Sequence, residues 1–283
     1  MKKNLEMGIG NLEQRSHELG CRMLKMCIKA GKGHVSSSLS CLDLFVALYH
    51  GGILRVDPAN PKWEDRDRLI LSKGQASPAL YTALADFGFF PSNWLEAFAQ
   101  ENGKFAVHLQ HDVPGVEITA GSLGQGFGTA AGIALSAKMD RKLFMVYTIL
   151  GDGECYEGSI WETAMFASHN RLNNLVTIID RNHLCVTDFT EELVALEPMV
   201  DKWLSFGFNV IPINGHSIKE ILKACQPLRN RNSTKPTVII ADTVKGHSIP
   251  SMCFDPLWHG RAPQGNDAKT FTKEIQKKRG CYE

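Results

Sequence analysis

Apolar residues recur at helical spacing between Leu12 and Ala30, with Leu19, Met23, Met26, Cys27 and Ala30 on one stripe. That stripe predicts an amphipathic helix, stopped at Gly31-Lys32-Gly33, where glycine permits a sharp exit. Ser40 is placed to cap a second helix in CLDLFVALYH, the run LILS reads as a short strand, and Pro78 opens a helix reaching about Phe87. Beyond residue 117 the pattern becomes regular. It predicts a small-residue helix from Ser122 to Ala137, a strand at 143–150, a helix at 159–169 and a strand at 175–180. A helix near 195–206, a strand at 208–213, a helix from Ser217 to about Cys225 and a strand at 237–243 follow. Apolar, β-branched strands alternating with helices mean parallel βαβ units with both sheet faces covered. The expectation is one α/β domain of three layers over residues 1–283, its core at about 12–250 and a loop and tail at about 251–283.

Composition narrows the function classes. With 43% hydrophobic and 22% charged residues in 283, the chain has enough apolar material for a large core, which excludes disorder. Lys+Arg 31 against Asp+Glu 30 gives no general attraction to nucleic acid or anionic membrane, so any bound anion needs a local site. The 8 cysteines contain no CxxC pair, which argues against a zinc knuckle and for reduced thiols in a cytoplasmic setting. No apolar run reaches membrane length, LFMVYTIL being strand-sized, and the start lacks a signal-peptide h-region.

In an open parallel sheet, ligands bind at the carboxyl ends of the strands. There the sequence places Gly151-Asp152-Gly153-Glu154 and, after the next strand, Asp180-Arg181-Asn182. A carboxylate and an amide oxygen on adjacent crossovers suit Mg²⁺ when a diphosphate supplies the remaining ligands. Equally, Asp152 serves as a helix cap and Asn182 as a turn residue. The run Gly121-Ser122-Leu123-Gly124-Gln125-Gly126 contains GxGxG but follows no obvious strand, which is weak for a nicotinamide site. Gly128 and Gly132 extend it into a small-residue face suited to close packing, inside the chain or across a subunit interface. His34, His108, His111, His216, His247 and His259 sit in loop contexts, whereas His50 and His169 end helices and read as structural.

Six segments together resemble the N-terminal, thiamine diphosphate-binding half of the transketolase family, from about Glu13 to about Pro263. They are AGKGHVSSSLS (30–40), RDRLILSKGQAS (66–77), PGVEITAGSLGQG (114–126), GDGECYEG…DRN (151–182), KPTVIIADTVKGHS (235–248) and WHG (258–260). The resemblance implies the thiamine diphosphate-binding fold. It implies Mg²⁺ or Ca²⁺ held by Asp152, Asn182 and the carbonyl of Leu184, with Gly151 and Gly153 at the diphosphate. It places Gly121, Ser122 and Leu123 beside the cofactor rings, Glu157 as a buried acid near the dimer contact, and His259 at both cofactor and substrate channel. His34 and His108 then face substrate, joined by Gln75, where the family usually carries histidine; glutamine donates a hydrogen bond but shuttles no proton. His111 offers a competing register for His108, and the usual DGH is Asn214-Gly215-His216 here.

The implied activity is transfer of a two-carbon ketol unit from a ketose phosphate to an aldose phosphate, as in the pentose phosphate pathway. No segment resembles the family's pyrimidine-binding domain. The expected partner is therefore a C-terminal transketolase subunit carrying that domain, with two copies of each chain in the assembly. Two alternatives stand beside it: a related split enzyme acting on a sulfonated or deoxy sugar, which Gln75 and the altered His108 segment favour, and a cofactor-binding paralogue without turnover.

Overall fold

The computed structural model describes residues 8–230 and 232–277. The amphipathic stripe forms α1 (Ile9–Ala30), which buries Leu12, Leu19, Met23, Met26 and Cys27 and ends at Gly31 in the left-handed conformation. Two short helices follow, α2 (Val35–Leu39) and α3 (Leu42–Tyr49). Cys41, not Ser40, precedes α3, because the Ser40 hydroxyl turns inward to donate to Asp180 at 2.6 Å. β1 (Arg68–Leu71) leads through the Lys73–Gly74 turn into α4 (Ser77–Phe87), with proline in the first turn as expected.

The regular half contains α5 (Gln125–Met139), β2 (Val146–Gly151), α6 (Gly158–His169) and β3 (Leu175–Arg181). It continues through α7 (Thr190–Leu193), α8 (Met199–Ser205), β4 (Asn209–Asn214), α9 (Ile218–Cys225) and β5 (Thr237–Asp242). The helix expected near 195–206 begins only at Met199, because Pro198 disfavours helical backbone at the residue before it.

All five strands are parallel, in the order β1-β2-β3-β5-β4. Alternation along the strands feeds two apolar cores. Tyr147, Ile149, Val176, Ile178 and Ile239 face α1, α3, α4 and α9. Val146, Leu150, Leu175, Ile179 and Val238 face α5, α6 and α8. The three-layer α/β/α expectation is met, and no helix among the described residues is long and apolar enough to cross a membrane. Cys21, Cys27, Cys41, Cys155, Cys185 and Cys225 are free thiols, whereas Cys253 is disulfide-bonded, against the expectation of thiols throughout.

The supposed C-terminal tail needs a larger correction. It contains α10 (Gly265–Gln276), whose Phe271 and Ile275 are buried in the core against α1. Gly20 of α1 faces it, 3.4 Å separating the position of a Cβ there from Ile275 Cδ1, an ordinary packing contact. With only two buried apolar positions one turn apart, the pattern is too sparse to announce a helix. Truncating Phe271 to alanine should cost about 3 kcal/mol in urea unfolding. A loss under about 1 kcal/mol would mean that α10 is not docked.

Candidate active site

The apolar strands end in charge. Asp180, next to last in β3, is fully buried and pairs with the Lys73 ammonium, which projects from the turn after β1. Ser40 from the end of α2 and Thr243 after β5 also donate to this carboxylate. Burial alone would raise the Asp180 pKa and lower that of Lys73. Their mutual attraction reverses both, so Asp180 is held below the usual carboxylate range and Lys73 above the usual amine. The Asn182 amide donates to Asp180 at 3.1 Å, which leaves its Oδ1 facing away, met only by the Leu184 N–H at 3.3 Å.

Asp152 lies at the adjacent strand end and is buried. Its Oδ1 accepts from Gly153 N at 2.7 Å and its Oδ2 from His183 N at 2.6 Å. Burial, then the neighbouring Asp180, pushes its carboxyl upward, against the pull of Arg181. A third buried acid, Glu154, ties the loops together. One of its oxygens accepts from Gly124 N at 2.8 Å and from the Ser72 hydroxyl, the other from Gly151 N at 3.1 Å.

The glycine run is explained by this packing. Gly124 has a φ of 79°, and a Cβ there would clash with Ser159 Oγ. One on Gly126 would lie 2.7 Å from Ser72. Gly124 and Gly126 therefore serve close approach, while Gly121 lies against the His108 ring at ordinary contact distance, 3.5 Å from where its Cβ would be.

Three imidazoles converge here. The ring centroids of His108 and His259 each lie 5.5 Å from that of His34. His111 instead bonds Thr119 at 3.0 Å and is exposed, so of the two it is His108 that lies beside His34. Lys245 Nζ donates to His259 Nδ1 at 2.9 Å and to the carbonyls of Leu184 and Cys185 at 3.1 and 3.0 Å. Burial first, then the nearby cations, lowers His34 to about 4 and His259 to about 3, and burial lowers Lys245 to about 8. The site thus presents neutral imidazoles beside ammonium groups. The Nδ1 of His34 is buried with no partner, which suits a ligand that brings a polar atom.

Of the residues expected from sequence, Gly151, Asp152, Asn182 and Leu184 gather at the strand ends, while His34, His108, His259 and Gly121 meet across the mouth. Leu123 and Gln75 are half-buried and Ser122 is exposed. Glu157, expected to be a buried acid, is exposed in the single chain, because it immediately precedes α6 at the surface. Lys73, Glu154, Asp180, Arg181 and Lys245 are buried charged neighbours of these residues to which the sequence reading gives no role. The signal that could have found them is a charged residue at or just beyond the end of an apolar strand.

A separate cluster, Asp43, His216 and His247, has ligand atoms within 4.8 Å of one another. It suits an ion poorly. His216 uses Nδ1 on Asp43 at 2.8 Å and accepts the Val244 N–H on Nε2 at 2.9 Å. The two rings stack at 3.5 Å and 12°, so their lone pairs lie in parallel planes rather than converging.

Known proteins resemble this chain in sequence and fold. Residues 19–280 match the family described as transketolase, thiamine diphosphate binding domain. A 6-deoxy-6-sulfo-D-fructose transketolase subunit of Clostridium sp. (strain MSTE9) is 44% identical over 219 residues, 77% of this chain and 79% of that protein. An apulose-4-phosphate transketolase subunit from Phocaeicola vulgatus is 36% identical over 272 residues, 96% of each. The transketolase structure from Campylobacter jejuni superposes with a TM-score of 0.88 at 32% identity, over 95% of this chain and 43% of that one.

Two outcomes are expected. Lys73→Met should destabilise the chain by about 3–5 kcal/mol in denaturant titration, and the double variant Lys73→Met/Asp180→Leu by less than the single. Equal losses would show that the ion pair is not what matters. The second concerns pH. His34 and His259 are neutral when folded and titrate near 6.5 when unfolded, so the unfolded chain takes up more protons on acidification. Their contribution is whole above 6.5 and is lost as pH falls through about 4 and then about 3. His34→Gln should flatten the fall of Tm between pH 6.5 and 4; an unchanged slope would contradict the assigned neutrality.

Proposed function

Because the chain belongs to the transketolase family through its thiamine diphosphate-binding domain, we propose that it is the cofactor-binding subunit of a split transketolase acting on an unusual sugar. The observation that carries the cofactor reading is the buried constellation at the ends of β2 and β3. Asp152 Oδ1, Asn182 Oδ1 and, once the Lys245 ammonium releases it, the Leu184 carbonyl would supply all-oxygen, weakly charged ligation of the kind Mg²⁺ or Ca²⁺ takes beside a diphosphate. Gly151 and Gly153 would approach the phosphates, and Gly121, Ser122 and Leu123 would border the rings. Thiamine diphosphate, when bound, supplies the carbanion chemistry.

The chain's own residues bind and orient. His34 and His259, neutral by burial, and His108 beside them offer N–H donors to sugar hydroxyls and to an oxygen gaining charge. The Lys245 contact on His259 Nδ1 sets the tautomer, leaving the proton on Nε2 to face outward. Gln75 would hold a substrate hydroxyl and pass no proton.

The sequence alone points to the ordinary ketose phosphates of the pentose phosphate pathway. The relatives favour the other reading, since the two subunits named above are described by 6-deoxy-6-sulfo-D-fructose and apulose 4-phosphate. Gln75 is consistent with an altered substrate pocket. Both relatives are named as subunits, which supports a partner chain; we take it to carry the rest of the active site, with two copies of each chain in the assembly. The surface we assign to it is that of α5 and α6, where Gly128, Gly132, Met165 and Phe166 are exposed.

Purified chain and partner, assayed apart and mixed, should show turnover only when mixed, saturating at equal ratio. In a donor panel, 6-deoxy-6-sulfofructose or apulose 4-phosphate should exceed xylulose 5-phosphate in kcat/KM. Preference for the ordinary ketose phosphate would restore the first reading. Asp152→Ala should keep its fold and lose cofactor affinity by about 100-fold or more in calorimetric titration with Mg²⁺.

A further inference from the structure

Arg181 ends β3 between Asp180 and Asn182, and it is buried. Its guanidinium is occupied on every side. Nη1 donates to Asp152 Oδ2 at 3.1 Å and to Thr190 Oγ1 at 2.6 Å. Nη2 donates to Glu191 at 2.9 Å and Nε to Glu197 at 3.2 Å. Glu191 is itself held by the N–H groups of Leu196 and Glu197, at 3.1 and 3.3 Å. A planar fork gripped at three edges cannot rotate, so the position of Nη1 against Asp152 is set.

The lone pairs of Asp152 give this contact its meaning. A carboxylate oxygen accepts in two directions. Asp152 Oδ2 receives Arg181 Nη1 and the His183 N–H, so both of its directions are taken. Oδ1 receives only the Gly153 N–H and keeps one direction open. Ca²⁺ accepts chelation by both oxygens of a carboxylate and adapts to irregular geometry, whereas Mg²⁺ demands single oxygens in a near-octahedral set.

We infer that Arg181 is a positioning residue that confines Asp152 to one-oxygen ligation and so biases the cofactor site toward Mg²⁺ over Ca²⁺. The inference rests on the proposal that Asp152 is a metal ligand. Arg181 touches neither cofactor nor substrate in this scheme; it acts through the carboxylate. Glu191 and Glu197 act one step further out by holding the guanidinium, which links the 190–197 segment to the choice of ion.

The test uses the full chain assembled with its partner at saturating thiamine diphosphate. MgCl₂ and CaCl₂ are titrated separately and read by calorimetry, with thermal melting as the check on folding. Arg181→Lys keeps the charge and loses the fork; Arg181→Gln keeps one donor and loses the charge. Each should raise affinity for Ca²⁺ relative to Mg²⁺ by about tenfold or more, the scale on which groups that orient a metal ligand act. Asp152→Ala is the parallel arm and should lose both ions. An unchanged Ca²⁺/Mg²⁺ ratio in the Arg181 variants, including equal weakening for both ions, overturns the inference while the Asp152 loss leaves the ligand assignment standing. Retained affinity in Asp152→Ala overturns the assignment itself.

Discussion

The carboxyl end of the sheet is organised by one buried ion pair, Lys73 with Asp180. Two charges taken out of water cost several kcal/mol each, and their attraction offsets this only when the remaining hydrogen-bonding positions are filled. Here they are filled from several elements. Ser40 and Ser37 contribute from α2, Thr243 from the end of β5, and Asn182 from the turn after β3. Such a pair adds little net stability over an apolar substitute, but it permits one arrangement of those segments. The consequence reaches the proposed ligands directly, because the Asn182 oxygen faces outward only while its amide nitrogen is held.

Glu154 plays a parallel role with different physics. Burial is the largest influence on it and raises its pKa, and donors from Ser72, Gly124 and Gly151 oppose that rise in place of a salt bridge. It thereby locks the glycine loop before α5 to the loop after β2. Two carboxylates, one paired and one caged by donors, position both halves of the cofactor mouth. Of the imidazoles above them, His34 and His259 are kept neutral chiefly by burial.

Much of this was legible in the sequence. The alternation of apolar strands and helices sufficed for the parallel three-layer fold, and the glycines flanking Asp152 sufficed to place it at a strand end. Asn182 could be matched to it because β2 and β3 are neighbours joined by one crossover. What stayed hidden was burial of charge. Lys73, Asp180, Arg181 and Lys245 read as ordinary polar residues closing apolar runs, and only the third dimension shows that each faces inward. The docking of α10 escaped for the opposite reason: two apolar contacts carry too little local pattern.

The strand order also has a consequence in time. β5 is the last strand in the chain, yet it lies between β3 and β4. Thr243 and Lys245, which complete the contacts to Asp180 and to His259, arrive only with it. During synthesis, β1 to β4 emerge first and must wait with an open slot beside β3, so the long-range pairing of Val176 with Thr237 forms late. The cofactor mouth is therefore among the last parts of the molecule to assemble. Until that slot closes, the β3 edge with its waiting carboxylate is the surface most open to mispairing with another chain.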